Sequence, residues 1–233
     1  MAGGAGITAI LATMLLVISP VADAGRVMIP GFTGGLEVAV ESFQARKYSS
    51  VFRQQYDFSC GSAAIASLLT FHYQFEVSEE EVFSGMFALA DPEKVRREGF
   101  SMLDMKHYLE SEGYQADGFR LPLAGLRKEV RLPVIALVTL DGYRHFVLIK
   151  GISADEVLVG DPARGMKVYP RSKFEQYWDG TAFVIRSHLR QGRKAFITDG
   201  AWPPSIATAP LNHLQDAPPL AHTLPHWPTM TEW

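Results

Sequence analysis

The chain carries a single cysteine, Cys60, at the end of the run Arg53-Gln54-Gln55-Tyr56-Asp57-Phe58-Ser59-Cys60. A helical-looking stretch over residues 61–75 follows at once, so the thiol sits at a loop-to-helix junction. There it meets the positive end of the helix macrodipole and N–H groups that have no intrahelical acceptor. Both favour the thiolate, which predicts a pKa below the free value of about 8.5. The thiolate is the nucleophilic form, so this position suits covalent catalysis. A lone cysteine is also a small hydrophobe that packs well in a core. Its partners must decide between the two.

A cysteine nucleophile needs a base, an orienting group for that base and donors for the tetrahedral oxyanion. His145 is the best base: it stands early on a predicted strand, just after the turn Asp141-Gly142. Asp161 ends the next strand, before Pro162, and an antiparallel pairing can bring its carboxylate to the imidazole. Gln54 precedes the cysteine by one short loop, so its amide can fold back over the helix start beside the Cys60 N–H. Each assignment has a plainer alternative. A strand histidine can be structural, and an aspartate before proline is a common turn residue. His72 and His107 lie on helices and read as packing residues. His213, His222 and His226 in the tail match no metal-ligand spacing.

The elements that must position these groups fall into two blocks. Ala64, Leu68, Phe71 and Phe75 form the stripe of a core-facing helix. Ser78 with Glu81 is a capping box opening a helix at Glu79, and its acidic first turn needs only the helix dipole as explanation. Asp91-Pro92-Glu93 starts another helix, and Lys94-Val95-Arg96-Arg97 reads as a solvated face. Ser101 with Asp104 caps a helix that ends near Gly113. After Gly113 the period changes to two. Strands are predicted at 114–121, 133–140, 143–151, 156–160, 166–169 and 181–187, with short helices at 123–130 and 173–177, and Asp141-Gly142 marks a hairpin. Helices followed by an antiparallel meander define an α+β domain.

The remaining bounds are compositional. A hydrophobic share of 47% and a charged share of 20% are those of a globular protein. A formal net charge of −3 gives no case for nucleic acid or an anionic membrane surface. One cysteine makes no internal disulfide and no cysteine-based zinc site. No cofactor or metal motif is present, and no phosphate-binding glycine loop. Residues 1–24 read as an export signal: an apolar run, Ile7–Ile18, ends before the small-x-small site Ala22-Asp23-Ala24. The alternative is an uncleaved signal anchor facing outside the cytoplasm. The expected organisation is a signal at 1–24, an N-terminal extension at 25–47, a catalytic domain at 48–190 and a Pro/His-rich disordered tail at 191–233. Leu36–Glu41 alternates enough for an edge strand. Export implies a periplasmic or secreted protein.

Taken together, Gln54–Ala64, Gly142–Leu148 and Gly160–Ala163 resemble the nucleophile, histidine and aspartate motifs of the papain-like double-glycine peptidases, which process bacteriocin and pheromone precursors. The similarity spans roughly residues 48–187. It implies a papain-like fold, with N-terminal helices packed on a C-terminal antiparallel sheet. It implies Cys60 as nucleophile, His145 as base and acid, Asp161 as orienter and Gln54 as oxyanion donor. The best-known members are fused to exporters. This sequence has no transporter segments and resembles the stand-alone exported branch, some members of which accompany functional-amyloid or other secretion systems. Ser62 departs from the proline or aliphatic residue found there in many members. The implied function is a cysteine endopeptidase cleaving an exported polypeptide after a double-glycine-type site, with secretion-system components as partners. Two rival readings share the residues: a non-cleaving peptide-binding export or assembly factor, and another thiol chemistry on a non-peptide substrate.

Overall fold

A computed structural model describes residues 26–29, 36–39, 42–140 and 142–203. The chain divides into two units, Met1–Ser42 and Phe43–Trp233. In the first, β1 (Arg26–Ile29) pairs antiparallel with β2 (Leu36–Ala39). β2 falls on the expected edge strand, whereas nothing in the sequence pattern marked β1. The export signal expected at 1–24 and the tail beyond 203 lie outside the described residues.

The second unit begins with helices: α1 (Phe43–Lys47), α2 (Cys60–Tyr73), α3 (Glu79–Leu89), α4 (Pro92–Glu98) and α5 (Met102–Ser111). Their starts are set by local chemistry. Ser78 and Glu81 form the expected reciprocal capping box, as do Ser101 and Asp104. Asp91 accepts from the N–H groups of Glu93 and Lys94, with Pro92 in the first turn, where a missing N–H costs nothing. α2 ends where Gln74 turns left-handed, at φ 56°, and the Phe75 N–H returns to the Leu69 carbonyl.

The sheet follows: β3 (Ala116–Arg120), β4 (Val134–Leu140), β5 (Tyr143–Ile152), β6 (Glu156–Asp161), β7 (Gly165–Pro170) and β8 (Trp178–Ile185). Between β3 and β4, α6 (Leu123–Gly125) runs into a π-helical turn, Leu126–Val130. α7 (Arg171–Tyr177) precedes β8, and α8 (Leu189–Ala195) follows it. The six strands are antiparallel in the order β3-β8-β4-β5-β6-β7. Leu140 pairs with Tyr143 at the hairpin, and Gly142 takes φ 81° in the turn. This is the α+β, papain-like arrangement that the sequence pattern and the family resemblance led us to expect.

β5 is the spine of the domain, buried from His145 to Ile152. Phe146 and Leu148 join the core shared with α2, α3 and α5, while Val147 and Ile149 join a second core shared with β8 and α7. Helix α2 is correspondingly buried nearly all round rather than along one stripe. Ala64 and Leu68 are fully covered, whereas Phe71 and Phe75 reach the surface at its far end.

The expected domain boundary at 190 falls inside α8. Packing continues beyond it: Ile197 bridges Gly151, and the Trp202 indole donates to Glu156. Gly192 is what lets α8 dock. A methyl group there would meet the Tyr73 hydroxyl at 2.7 Å and Leu132 Cδ2 at 2.8 Å. Gly192→Ala should therefore destabilise the domain by about 1–3 kcal/mol despite alanine's better helix propensity. Urea unfolding of the two proteins checks this, and equal midpoints would mean that α8 is not part of the cooperative unit.

Candidate active site

Cys60 is the first residue of α2 and lies 9% exposed. Ser59 precedes it without capping the helix through its side chain. The first-turn donors are therefore not consumed by a side chain: the N–H groups of Cys60 and Gly61, with that of Phe146 on β5, act on the sulfur and lower its pKa. Burial acts in the other direction and wins, and Asp161 adds to it. The resting thiol is pushed up rather than down, against the expectation from the helix dipole alone. Removing a thiolate from water outweighs three N–H groups and a helix end.

His145 and Asp161 come together through strand register. β5 and β6 pair Leu148 with Gly160, which continues to place Asp161 opposite Val147 and on a diagonal from His145. The two side chains are 3% and 1% exposed. His145 Nε2 stands 3.4 Å from Asp161 Oδ2, long for a hydrogen bond and within ion-pair range. Oδ1 accepts from the N–H groups of Ala163 and Arg164 at 2.9 and 3.0 Å, which fixes the carboxylate. Burial alone would raise this carboxyl, but His145 and those two N–H groups together hold it below its usual range. With Nε2 turned to Asp161, Nδ1 of His145 is the ring nitrogen left over. It is buried and has no hydrogen-bond partner among the described residues.

Cys60 and His145 line one cleft of about 980 Å³, together with Phe58, Phe100, Leu137 and Tyr143. Arg96 and Arg97, expected as a solvated face, are exposed and also border this cleft. Tyr143 was part of the histidine motif without a role. Its hydroxyl donates to the Asp57 carbonyl at 2.9 Å, and its ring centre lies 5.9 Å from that of His145. It therefore ties the histidine strand to the loop in front of the cysteine.

Gln54 lies in that loop, which is pinned at several points. Its N–H donates to the Pro162 carbonyl at 3.0 Å, the Phe52 N–H to Ser67 Oγ at 2.8 Å, and Lys150 Nζ to the Ser50 carbonyl at 2.6 Å. The side-chain amide of Gln54 is engaged locally. Nε2 donates to the Tyr56 carbonyl at 2.9 Å and reaches the Asp57 carbonyl at 3.4 Å, while Oε1 is buried without a partner. Three of the four expected site residues thus share one neighbourhood around the cysteine and the sheet end. The fourth, Gln54, is tethered to the same loop and to the Asp161 turn, with its amide directed at its own backbone.

Among the described residues, no group of three His, Cys, Asp or Glu side chains converges as a metal-ligand set. His72 is buried, with both ring nitrogens lacking a partner among the described residues. His107 is exposed on α5. The tail histidines lie outside the described residues.

Comparison with known proteins identifies the family. The model of the peptidase C39 family matches residues 48–189. The protein named "probable functional amyloid protease FapD" in Pseudomonas aeruginosa is 39% identical over 178 residues, covering 76% of this chain and 78% of that protein. Its namesake in Pseudomonas fluorescens is 41% identical over 174 residues, covering 74% and 76%. Among solved structures, a double-glycine-motif protease from an AMS/PCAT transporter, in complex with its leader peptide, is 27% identical with a TM-score of 0.50. That match covers 58% of this chain and 89% of that one. The peptidase domain of Streptococcus ComA shares the fold at 19% identity and a TM-score of 0.50, covering 58% and 96%. The chain accordingly belongs to the peptidase C39 family and is a cysteine peptidase.

Proposed function

We propose that this peptidase is exported through residues 1–24 and cleaves a secreted polypeptide after a double-glycine-type site, with Cys60, His145, Asp161 and Gln54 as its working residues. The observation that carries the catalytic assignment is the buried Nδ1 of His145, without a hydrogen-bond partner among the described residues, on a ring whose other nitrogen stands 3.4 Å from Asp161 Oδ2, in the cleft that contains the chain's one thiol. The substrate class draws on the relatives. The two curated ones are named functional-amyloid proteases, and the solved double-glycine protease was captured with a leader peptide. An amyloid-type precursor and the components that secrete it are the partners this suggests.

In the proposed reaction His145 Nδ1 takes the thiol proton as Cys60 Sγ bonds to the scissile carbonyl carbon. Asp161 stabilises the imidazolium that results. The carbonyl oxygen becomes the oxyanion and accepts from the Cys60 N–H and from Gln54 Nε2. For this Gln54 must give up at least one of the two carbonyls it now faces. The intermediate collapses, the peptide C–N bond breaks, and His145 returns the proton to the leaving amine. Water, deprotonated by the same nitrogen, then attacks the thioester, and Cys60 leaves as the thiol.

The committed amide of Gln54 is the one observation that favours a rival, a binder of the same fold that does not cut. Complementation by Cys60→Ala separates them: a binder keeps its function, and a peptidase loses it. Cys60→Ala and His145→Ala should each abolish cleavage of a double-glycine precursor peptide followed by mass spectrometry. Gln54→Ala should reduce the rate by about 100- to 1000-fold. Unchanged cleavage by Gln54→Ala would remove that residue from the oxyanion site.

The thiol makes a separate prediction. Because burial raises its pKa in the folded protein, the thiolate fraction at neutral pH is low and grows as pH rises. Alkylation of Cys60 by iodoacetamide in the substrate-free enzyme should climb with pH through a midpoint above about 8.5. A midpoint near neutrality or below would mean that a thiolate–imidazolium pair already exists at rest.

A further inference from the structure

The nucleophile helix rests on a buried carboxyl that the reaction above does not use. Glu79, the first residue of α3, is only 4% exposed, whereas Glu80 and Glu81 beside it face solvent or the cap. Its Oε1 lies 2.9 Å from Ser62 Oγ, and Ser62 is two residues after Cys60 on α2. The same Ser62 hydroxyl lies 2.9 Å from the carbonyl of Ser59, the residue just before Cys60. The other carboxyl oxygen, Oε2, is buried with no hydrogen-bond partner among the described residues.

Counting hydrogens decides what this cluster is. Ser62 has one hydroxyl hydrogen and two oxygen neighbours at the same short distance. If Glu79 were ionised, both neighbours would be acceptors and one contact would lack a hydrogen. A buried carboxylate would also be left with one oxygen unpaired, a costly arrangement. If Glu79 carries a proton on Oε1, it donates to Ser62 Oγ and Ser62 donates to the Ser59 carbonyl. Both Ser62 contacts then have their hydrogen, the Ser59 hydroxyl keeps its own on the Tyr56 carbonyl, and no charge is buried.

We propose that Glu79 is held protonated and acts as a positioning residue for the nucleophile, locking the first turn of α2 through the relay Glu79–Ser62–Ser59. The assignment rests on the reading of Cys60 as nucleophile. The relay grips the helix on both sides of that residue, so it sets where the thiol and the Cys60 N–H point. Ionisation would pull the Ser62 hydrogen to the carboxylate, leave the Ser59 carbonyl with the Ala63 N–H alone and put a negative charge beside a site that must form a thiolate. The surroundings favour the neutral form. Burial raises the Glu79 pKa, the hydroxyls of Ser62 and Ser59 act against it, and the Glu80 carboxylate adds to the rise. From α2 the groups that act on Glu79 are the hydroxyls of Ser62 and Ser59, neither of which is charged. From α5 the titratable group packed on α3 is Tyr108, whose hydroxyl is coupled to Glu81 and Glu112 rather than to Glu79.

The test follows the carboxyl itself and then the thiol. In protein labelled with ¹³C at the glutamate carboxyls, the resonance missing from Glu79→Gln identifies Glu79. It should still be protonated at neutral pH, where a free glutamate carboxyl is ionised. Glutamine keeps a neutral donor at the same place, so Glu79→Gln should alkylate at Cys60 within about threefold of the parent. Glu79→Ala, which leaves Ser62 buried with no partner on that side, should lose about tenfold or more. Circular dichroism of both variants separates misfolding from mispositioning. A Glu79 carboxyl that is already ionised at neutral pH overturns the proposal. So does a Glu79→Gln variant that is folded but as slow as Glu79→Ala. If Cys60→Ala still cleaves the double-glycine precursor peptide, the nucleophile assignment fails instead, and the carboxyl titration still reports on Glu79 by itself.

Discussion

The chemistry proposed for this domain depends on one diagonal across two antiparallel strands. The β5–β6 register sets His145 and Asp161 on the same sheet face, two positions out of step, with both side chains sealed from solvent. Sealing is what gives the pair its effect. In water a carboxylate beside an imidazole would contribute little, but in a low-dielectric site it fixes the ring orientation and the preferred nitrogen. A one-residue slip would turn Asp161 to the opposite face and leave the ring with no orienter.

Burial has a second consequence. The dry surroundings that strengthen the His145–Asp161 pair also raise the cost of a thiolate at Cys60. Helix dipole and backbone donors favour the charged sulfur, and desolvation disfavours it more. In the proposed mechanism Cys60 therefore starts as a thiol, and its proton is transferred as the sulfur attacks rather than before. A protonated Glu79 fits the same logic, since a neutral carboxyl can brace the helix without adding a negative charge. Tyr143 and the pinned loop at 50–58 complete the arrangement by joining the nucleophile side of the cleft to the histidine strand.

Much of this was legible in the sequence because it is local. Ser78 with Glu81, Ser101 with Asp104 and the turn before Tyr143 announce themselves through short-range hydrogen bonding and backbone preference. The order of helices and strands followed from periodicity. The candidate site residues could be named because Cys60 has no competitor and His145 and Asp161 stand near strand ends. What could not be read was burial. Glu79, Glu80 and Glu81 look alike as a helix first turn, yet only Glu79 is driven inward against Ser62. The protonation of Cys60 turns on desolvation, which has no local signature. The π-helical turn at Leu126–Val130 and the docking of α8 through Gly192 are tertiary outcomes. So is the engagement of the Gln54 amide with its own loop, which spacing alone had aimed at the oxyanion.

The most direct test is a crystal structure of the enzyme with a peptide aldehyde ending in Gly-Gly, which mimics the acyl-transfer intermediate. The account predicts a covalent bond from Cys60 Sγ to the aldehyde carbon and the oxygen within hydrogen-bond reach of the Cys60 N–H. Gln54 Nε2 should have turned away from Tyr56 or Asp57 towards that oxygen, and His145 Nδ1 should lie against the sulfur. An unmodified Cys60 with the peptide bound elsewhere, or an imidazole whose Nδ1 faces away from the adduct, would contradict it.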